Sequence, residues 1–351
     1  MMKVGTLAFH YAYNFGAVLQ ALGLIRALRT LGVHAEVIDF RSPVHYAPRL
    51  LTRRPLRWFN TRAVDRAFKR FREQHLPQSQ PCVSHSELAR VARNYDALIV
   101  GSDQIWNLHK PFEAAFFLDF DVPAECRRIS YAACFGREDQ PPAECERVAL
   151  ALRRFDAISV RNPTSQRVLA AKFGIEAPVT ADPTLLADYS DLAERGSMTK
   201  PYTFLFAVDW HNRARLTSIV RCHRARTDEP IFQSRMTWDV PRVDRTLFGV
   251  GPREWLSLVM NCAFMITDSF HGMLFAIKFR KPFAIVFADE TSARMRDILN
   301  LVGLSDRITA DPSPEWYDRS RSSVPDWDLV SSRLQPCVDQ SWEFLRRALM
   351  V

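Results

Sequence analysis

The sequence predicts an α/β protein of two domains, each built on a parallel sheet, and three observations predict it. The first is the stretch Asn261 to Phe287, NCAFMITDSFHGMLFAIKFRKPFAIVF. Its apolar run Ala263 to Ile266 is too short for a helix and reads as a buried strand. Thr267, Asp268 and Ser269 are all helix N-cap types, and Phe270, Met273, Leu274 and Ile277 then recur at helical spacing. Lys281-Pro282 stops that helix before a second apolar strand, Phe283 to Phe287, so the unit is strand, helix, strand. The second observation is a similar β-α-β unit at the start, from Val4 to Phe40. The third is length: 351 residues is long for one domain and comfortable for two. Asp188 to Pro201, polar and without periodicity, reads as the linker.

In order, Val4 to Phe9 is the first strand. The loop His10 to Gly16 leads into a helix from Ala17 to Leu31, with Val18, Leu22, Ile25 and Leu28 on its buried face and Gly32 at its end. Ala35 to Phe40 is the next strand. Asn14-Phe15-Gly16 lacks the three-glycine spacing of a dinucleotide loop, so Asp39 earns no role as a ribose ligand. The loop does place His10, Asn14 and Gln20 at the carboxyl edge of a strand, where open α/β sheets bind ligands. These side chains suit sugar hydroxyls. Turn chemistry for Asn14 and a solvated position for Gln20 are the equal alternatives.

Arg49 to Arg72, RLLTRRPLRWFNTRAVDRAFKRFR, is strongly basic, with Leu50, Leu51, Leu56, Trp58, Phe59, Phe68 and Phe71 interleaved. An ordinary surface helix is the first reading of it. An amphipathic element on anionic headgroups or a nucleic-acid patch are the others. Tyr95 to Val100 is a strand, and Gly101 to Asn107, GSDQIWN, is the loop leaving it. There Asp103 can accept from a sugar hydroxyl or act as a base, and Trp106 offers a flat face to a pyranose. The alternative is an Asx turn with Trp106 in the core. Arg127 to Ala133 is a strand, and a helix follows Pro141-Pro142. Phe155 to Val160 delivers Arg161, with Asn162 and Pro163 opening a helix that Gly174 ends. An arginine so placed suits a planar carboxylate or a phosphate, and a structural salt bridge is the competing reading.

After the linker, Tyr202 to Val208 restarts the alternation, followed by the loop Asp209 to Arg213 and a helix to about Arg226. A strand at Ile231 to Ser234 and a helix at Arg253 to Cys262 lead into the unit described first. Its His271 lies in the first turn of a helix, where unpaired N–H groups and the dipole favour an anion. That position suits a proton donor beside a bound phosphate or carboxylate, against the plainer reading of a half-buried structural histidine. Thr291 to Leu301 is a further helix carrying Arg294 and Arg296. Residues 310–326 read as irregular, and Trp327 to Leu349 as helical.

Composition narrows the function. Lys and Arg exceed Asp and Glu by 47 to 39, a net charge of +8, which favours anionic substrates, a membrane surface or nucleic acid. Seven cysteines without a C-x-x-C pair argue for a reducing compartment and against a zinc ribbon. The chain enters a strand at once, without signal-peptide design, and no apolar run approaches a membrane span. A cytoplasmic protein is expected.

FHYAYNFGAVLQAL at 9–22, GSDQIWN at 101–107, ISVRNPTS at 158–165 and the 261–287 stretch, in this order, resemble the polysaccharide pyruvyltransferase family over roughly Val4 to Arg307. The resemblance implies two facing Rossmann-like domains, as in GT-B glycosyltransferases, with residues 1–190 in one and 200–326 in the other. It also implies that the helix at 327–351 packs back on the first. It implies transfer of a pyruvyl group from phosphoenolpyruvate onto a sugar diol of a surface polysaccharide precursor, forming a cyclic ketal. Phosphoenolpyruvate is then a co-substrate, with no cofactor or metal demanded.

In that scheme His271 is the general acid, Arg161, Ser269, Arg294 and His271 hold the donor, and Asp103 is the base. His10, Asn14, Gln20, Asp103 and Trp106 meet the acceptor. Many members carry arginine two residues before the helix histidine, where this chain has Ser269; Arg213, Arg294 or Arg296 would replace it. The acceptor is a saccharide, free or lipid-linked, and peripheral contact with an anionic membrane fits the second case. The rival enzyme is a glycosyltransferase using a nucleotide-sugar, with Asp289 or Glu290 on the ribose. No recognised nucleic-acid module is present, and no nucleic acid is expected as partner.

Overall fold

The computed structural model describes residues 1–42, 44, 55–194, 200–234, 238–287 and 293–351. The chain divides into two compact units. One comprises Met1–Leu50, Arg72–Asp188 and Gln335–Val351; the other comprises Leu51–Phe71 and Tyr189–Leu334.

The first unit holds a sheet of β1 (Lys3–Leu7), β2 (His34–Val37), β3 (Ala97–Val100), β4 (Arg127–Ala133) and β5 (Ala157–Val160). The order is β2-β1-β3-β4-β5, and each neighbouring pair is parallel. β3 reads ALIV and is wholly buried, as a strand covered on both faces must be. The helices of this half are α1 (Phe15–Thr30), α3 (His85–Ala92), α4 (Cys145–Leu152), α5 (Pro163–Val168) and α6 (Pro183–Leu186), with α2 (Pro55–His75) between α1 and α3 in the chain. α1 begins two residues before the expected start, because the Asn14 side chain accepts from the Ala17 N–H and caps it. β2 stops short of the expected Phe40, which pairs only through an isolated bridge to Cys82. α5 runs into a π turn, Leu169–Phe173, closed by Gly174 at φ 65°, as expected of an αL glycine cap.

The second sheet runs β11-β10-β9-β6-β7-β8, formed by β6 (Thr203–Phe206), β7 (Ile231–Ser234), β8 (Arg245–Leu247), β9 (Phe264–Thr267), β10 (Phe283–Val286) and β11 (Ile308–Thr309). It too is parallel throughout. Its helices are α7 (Arg213–Arg224), α8 (Pro252–Asn261), α9 (Phe270–Lys278), α10 (Ala293–Val302) and α11 (Pro314–Ser322). Leu205, Leu216, Ile219, Ile266, Ala284 and Val286 form much of its core.

Two expectations change. Residues 310–326 are not irregular: Ser313 caps α11, with Pro314 at its first position. The buried Arg307 guanidinium donates to the Ser320 and Ser323 carbonyls, where a cation suits a helix C-terminus. Leu51–Phe71 groups with the second unit rather than the first. The reason is packing of α2, since a Cβ on Gly249 or Gly251 would come within 2.9 and 3.0 Å of the Ala63 and Ala67 methyls. The closing helix, α12 (Trp327–Leu349), returns to the first unit over Gln335–Val351. There Ser341 accepts from the Ala181 N–H at 2.8 Å and Arg127 donates to the Ala348 carbonyl at 2.8 Å.

Candidate functional site

At the carboxyl edge of the second sheet, β9 ends in Thr267 and the chain turns at once into α9. Ser269 is extended, and its hydroxyl accepts from the Gly272 N–H at 3.2 Å, capping the helix. Gly272 is required here, because a Cβ would lie 2.5 Å from Thr267 Oγ1. That close approach sets the first turn, with the buried His271, directly against the strand end. The Arg294 guanidinium, from the start of α10, stands over the Phe270 ring at 5.3 Å. Of the replacement arginines, Arg294 is therefore beside the turn that carries His271. Arg213 instead stacks on Trp210 at 5.0 Å and donates to the Asp239 carbonyl at 3.2 Å.

Asp268, which the sequence suggested only as one of three possible caps, has a distinct role. Its buried carboxylate accepts from the Val208 N–H (2.7 Å), the Asp209 N–H (3.0 Å) and Asn212 Nδ2 (3.3 Å). It thereby ties the loop leaving β6 to the start of α9. Burial pushes its pKa up to about 6, against the pull of those donors. Its signal in the sequence was its place two residues past an apolar strand, at the edge where ligands gather.

In the first unit the loop after β3 is held from several sides. Gly101 has φ +129°, and a Cβ there would meet the Tyr131 carbonyl oxygen at 1.9 Å, so only glycine fits. Arg161, delivered by β5, donates through Nη1 to Asp182 at 2.9 Å and through Nη2 to Asp103 at 3.2 Å. Its side chain is 1% exposed, that of Asp182 is fully buried and that of Asp103 is 16% exposed. Burial opposes the charge, but Asp103, Asp182 and the Cys134 environment raise the Arg161 pKa further above its ordinary value. Both terminal nitrogens of Arg161, the expected donor clamp, serve carboxylates of its own unit. Asp182 also caps α6, accepting from the Thr184 N–H at 3.0 Å.

The acceptor residues separate on burial. Trp106 is 0% exposed, donates to the Phe116 carbonyl at 2.9 Å and stacks on Phe117. It is a core residue, and its expected role as a sugar platform is corrected. Gln20 is likewise fully buried, accepting from the Ser102 N–H at 3.1 Å and donating to the Ala17 carbonyl; it braces the loop after β3 rather than meeting a sugar. His10 is buried between the Ala8 carbonyl (3.0 Å) and Asp39 (3.1 Å). Asn14, at the α1 cap, is exposed and Asp103 is part-exposed. Arg161 belongs to one compact unit and His271 to the other.

Of the basic segment, residues 49–54 lie outside the described residues, as do Asp289 and Glu290. From Thr61 onward α2 buries Val64, Phe68 and Phe71 and leaves Arg62, Arg66, Lys69 and Arg70 exposed. This is the surface-helix pattern. Phe68 and Phe71 are committed to the protein interior, so these two aromatic rings are not available for a lipid surface. Among the described residues no helix is long and apolar enough to cross a membrane. Nor are three His, Cys, Asp or Glu side chains grouped as a metal ion requires.

The family model for polysaccharide pyruvyl transferase matches residues 14–288. The chain belongs to that family. A search of curated proteins returns no match. Among solved structures, the chain is similar to a Methanocaldococcus jannaschii UDP-GlcNAc 2-epimerase at 15% identity, covering 93% of each chain with a TM-score of 0.59. It is similar to S. aureus MnaA in its UDP co-structure at 13% identity, covering 99% of this chain and 97% of that one, TM-score 0.57. Arabidopsis thaliana UGT89C1, complexed with quercetin, matches at 10% identity over the whole of both chains, TM-score 0.55. These likenesses establish the two-domain α/β fold shared by GT-B glycosyltransferases and epimerases. Within this family, the chain is a transferase.

Proposed function

We propose that this pyruvyl transferase takes its pyruvyl group from phosphoenolpyruvate and forms a cyclic ketal on a sugar diol of a surface polysaccharide precursor. The observation that carries the proposal is His271 in the capped first turn of α9, with Arg294 over the adjacent Phe270 ring. A helix N-terminus and a guanidinium suit the donor's phosphate and carboxylate, and the histidine beside them supplies a proton. His271 protonates the methylene carbon, leaving a cation at the central carbon. One sugar hydroxyl attacks that carbon and loses its proton to a base. The bond to phosphate breaks, the second hydroxyl closes the ring, and phosphate carries away the second proton. Ser269 and the first turn cradle the departing phosphate. No cofactor enters the scheme.

We place the reaction in the cytoplasm, with the exposed cations of α2 as the candidate contact to an anionic membrane. A nucleotide-sugar donor is the competing reading; the UDP bound in the MnaA co-structure motivates including it in the test. The test follows phosphate release and ketal formation with phosphoenolpyruvate and a panel of saccharides, in wild type and His271→Ala. Turnover should fall by roughly 10²–10⁴-fold in the variant while the donor still binds, since proton transfer matters in the transition state. Near-normal turnover in His271→Ala would make the histidine structural.

A further inference from the structure

One cation in the first unit has no use so far. Arg72, in the last turn of α2, is 4% exposed, and its Nη1 is buried without a hydrogen-bond partner. It forms no ion pair among the described residues. Its guanidinium carbon lies 4.5 Å from the centre of the Tyr11 ring, and that of Arg41 lies 4.5 Å from the same ring. The two guanidiniums are thus within about 9 Å of each other. Arg41 is paired with Asp39 at 3.0 Å, and the other Asp39 oxygen takes His10 Nε2 at 3.1 Å.

The cluster therefore sets one carboxylate against two arginines, and the less exposed arginine is the one that lacks an anion. A buried unpaired charge is costly, and a π face offsets only part of its lost hydration. Among the described residues Arg72 Nη1 finds no acceptor. Tyr11 follows β1 and Arg41 follows β2, so the cluster stands at the carboxyl edge of the sheet.

We propose that Arg72 and Arg41, converging on the Tyr11 ring, bind a phosphate or diphosphate group carried by the acceptor saccharide. This rests on the reading of this edge as the acceptor side. It specifies an acceptor of one chemical class, a glycosyl phosphate or diphosphate, rather than a neutral sugar. Two guanidiniums at one aromatic ring, with Arg72 Nη1 buried and without a hydrogen-bond partner, suit a multivalent oxyanion.

The test is calorimetric titration of inorganic pyrophosphate into the full chain: wild type, Arg72→Met, Arg41→Met and His271→Ala. Wild type should bind, both arginine variants should weaken binding at least about tenfold, and His271→Ala should bind as wild type does. Arg41 is 31% exposed, so Arg41→Met decides the matter should Arg72→Met fail to fold. Wild-type affinity in folded Arg72→Met and Arg41→Met, or no binding by wild type, overturns the proposal. Loss in His271→Ala with retention in the arginine variants also overturns it, by moving the anion to α9, and leaves the phosphoenolpyruvate reading standing. Conversely, intact pyrophosphate binding without ketal formation counts against pyruvyl transfer alone. Farnesyl diphosphate and UDP, titrated in parallel, separate a lipid-linked source from a nucleotide one.

Discussion

Arg161→Met is the substitution whose outcome the structure constrains most. It removes the guanidinium that joins Asp182 and Asp103 and leaves a fully buried carboxylate at Asp182. Breaking a buried pair by removing one partner costs about 3–5 kcal/mol, mostly as the penalty on the charge left behind. For a compact unit of this size that is a fall in Tm of roughly 6–20 °C. Arg161→Met/Asp182→Leu should recover much of the loss, because an apolar pair of similar volume replaces the ions. Thermal and urea denaturation of wild type, both singles and the double give the coupling energy. Phosphoenolpyruvate titrated into folded Arg161→Met should bind within roughly threefold of wild type. A stability change under about 0.5 kcal/mol, together with loss of donor binding, would refute the reasoning and restore Arg161 as a ligand clamp.

Further outcomes follow from single positions. Gly101→Ala should destabilise by at least about 2–3 kcal/mol, since the methyl collides with the Tyr131 carbonyl at a left-handed φ; denaturant melts read this. Asp268, with a folded pKa near 6 against an ordinary 3.8, contributes stability present below about pH 4 and lost as pH rises through 6. Asp268→Asn should flatten that part of the stability curve. His223, buried between the Tyr317 hydroxyl and the Glu229 carbonyl, runs the other way. Burial lowers its pKa from 6.5, so stability present above that value is lost as pH falls. His223→Asn should weaken this acid limb in urea melts at pH 5 and 7.

Much of the fold was legible because both sheets are parallel and buried. Strands such as Ala97–Val100 and Phe264–Thr267 are short apolar runs bounded by cap residues, and the helices between them show period 3.6. What failed to show were features made by distant partners. Residues 310–326 carry no apolar stripe strong enough to call a helix, and α11 depends on Arg307 at its C-terminal end. The partition of Leu51–Phe71 rests on glycines nearly two hundred residues away. At the candidate site, the cap at Ser269 and the first-turn position of His271 follow from local rules. Roles set by burial did not follow from them. Trp106, Gln20 and Arg161 look like ligand residues in their loops, and each is consumed by contacts from elsewhere in its unit. Asp268 and Arg72 escaped notice for the converse reason, since their chemistry lies in what the fold places around them.

Donor identity is the central claim, and saturation-transfer NMR on the full chain tests it most directly, with phosphoenolpyruvate and UDP-GlcNAc measured side by side. Pyruvyl transfer predicts a transferred signal on the phosphoenolpyruvate methylene protons, kept in His271→Ala and diminished in Arg294→Met. Transfer to the uridine ring protons of UDP-GlcNAc, with phosphoenolpyruvate silent, would contradict it.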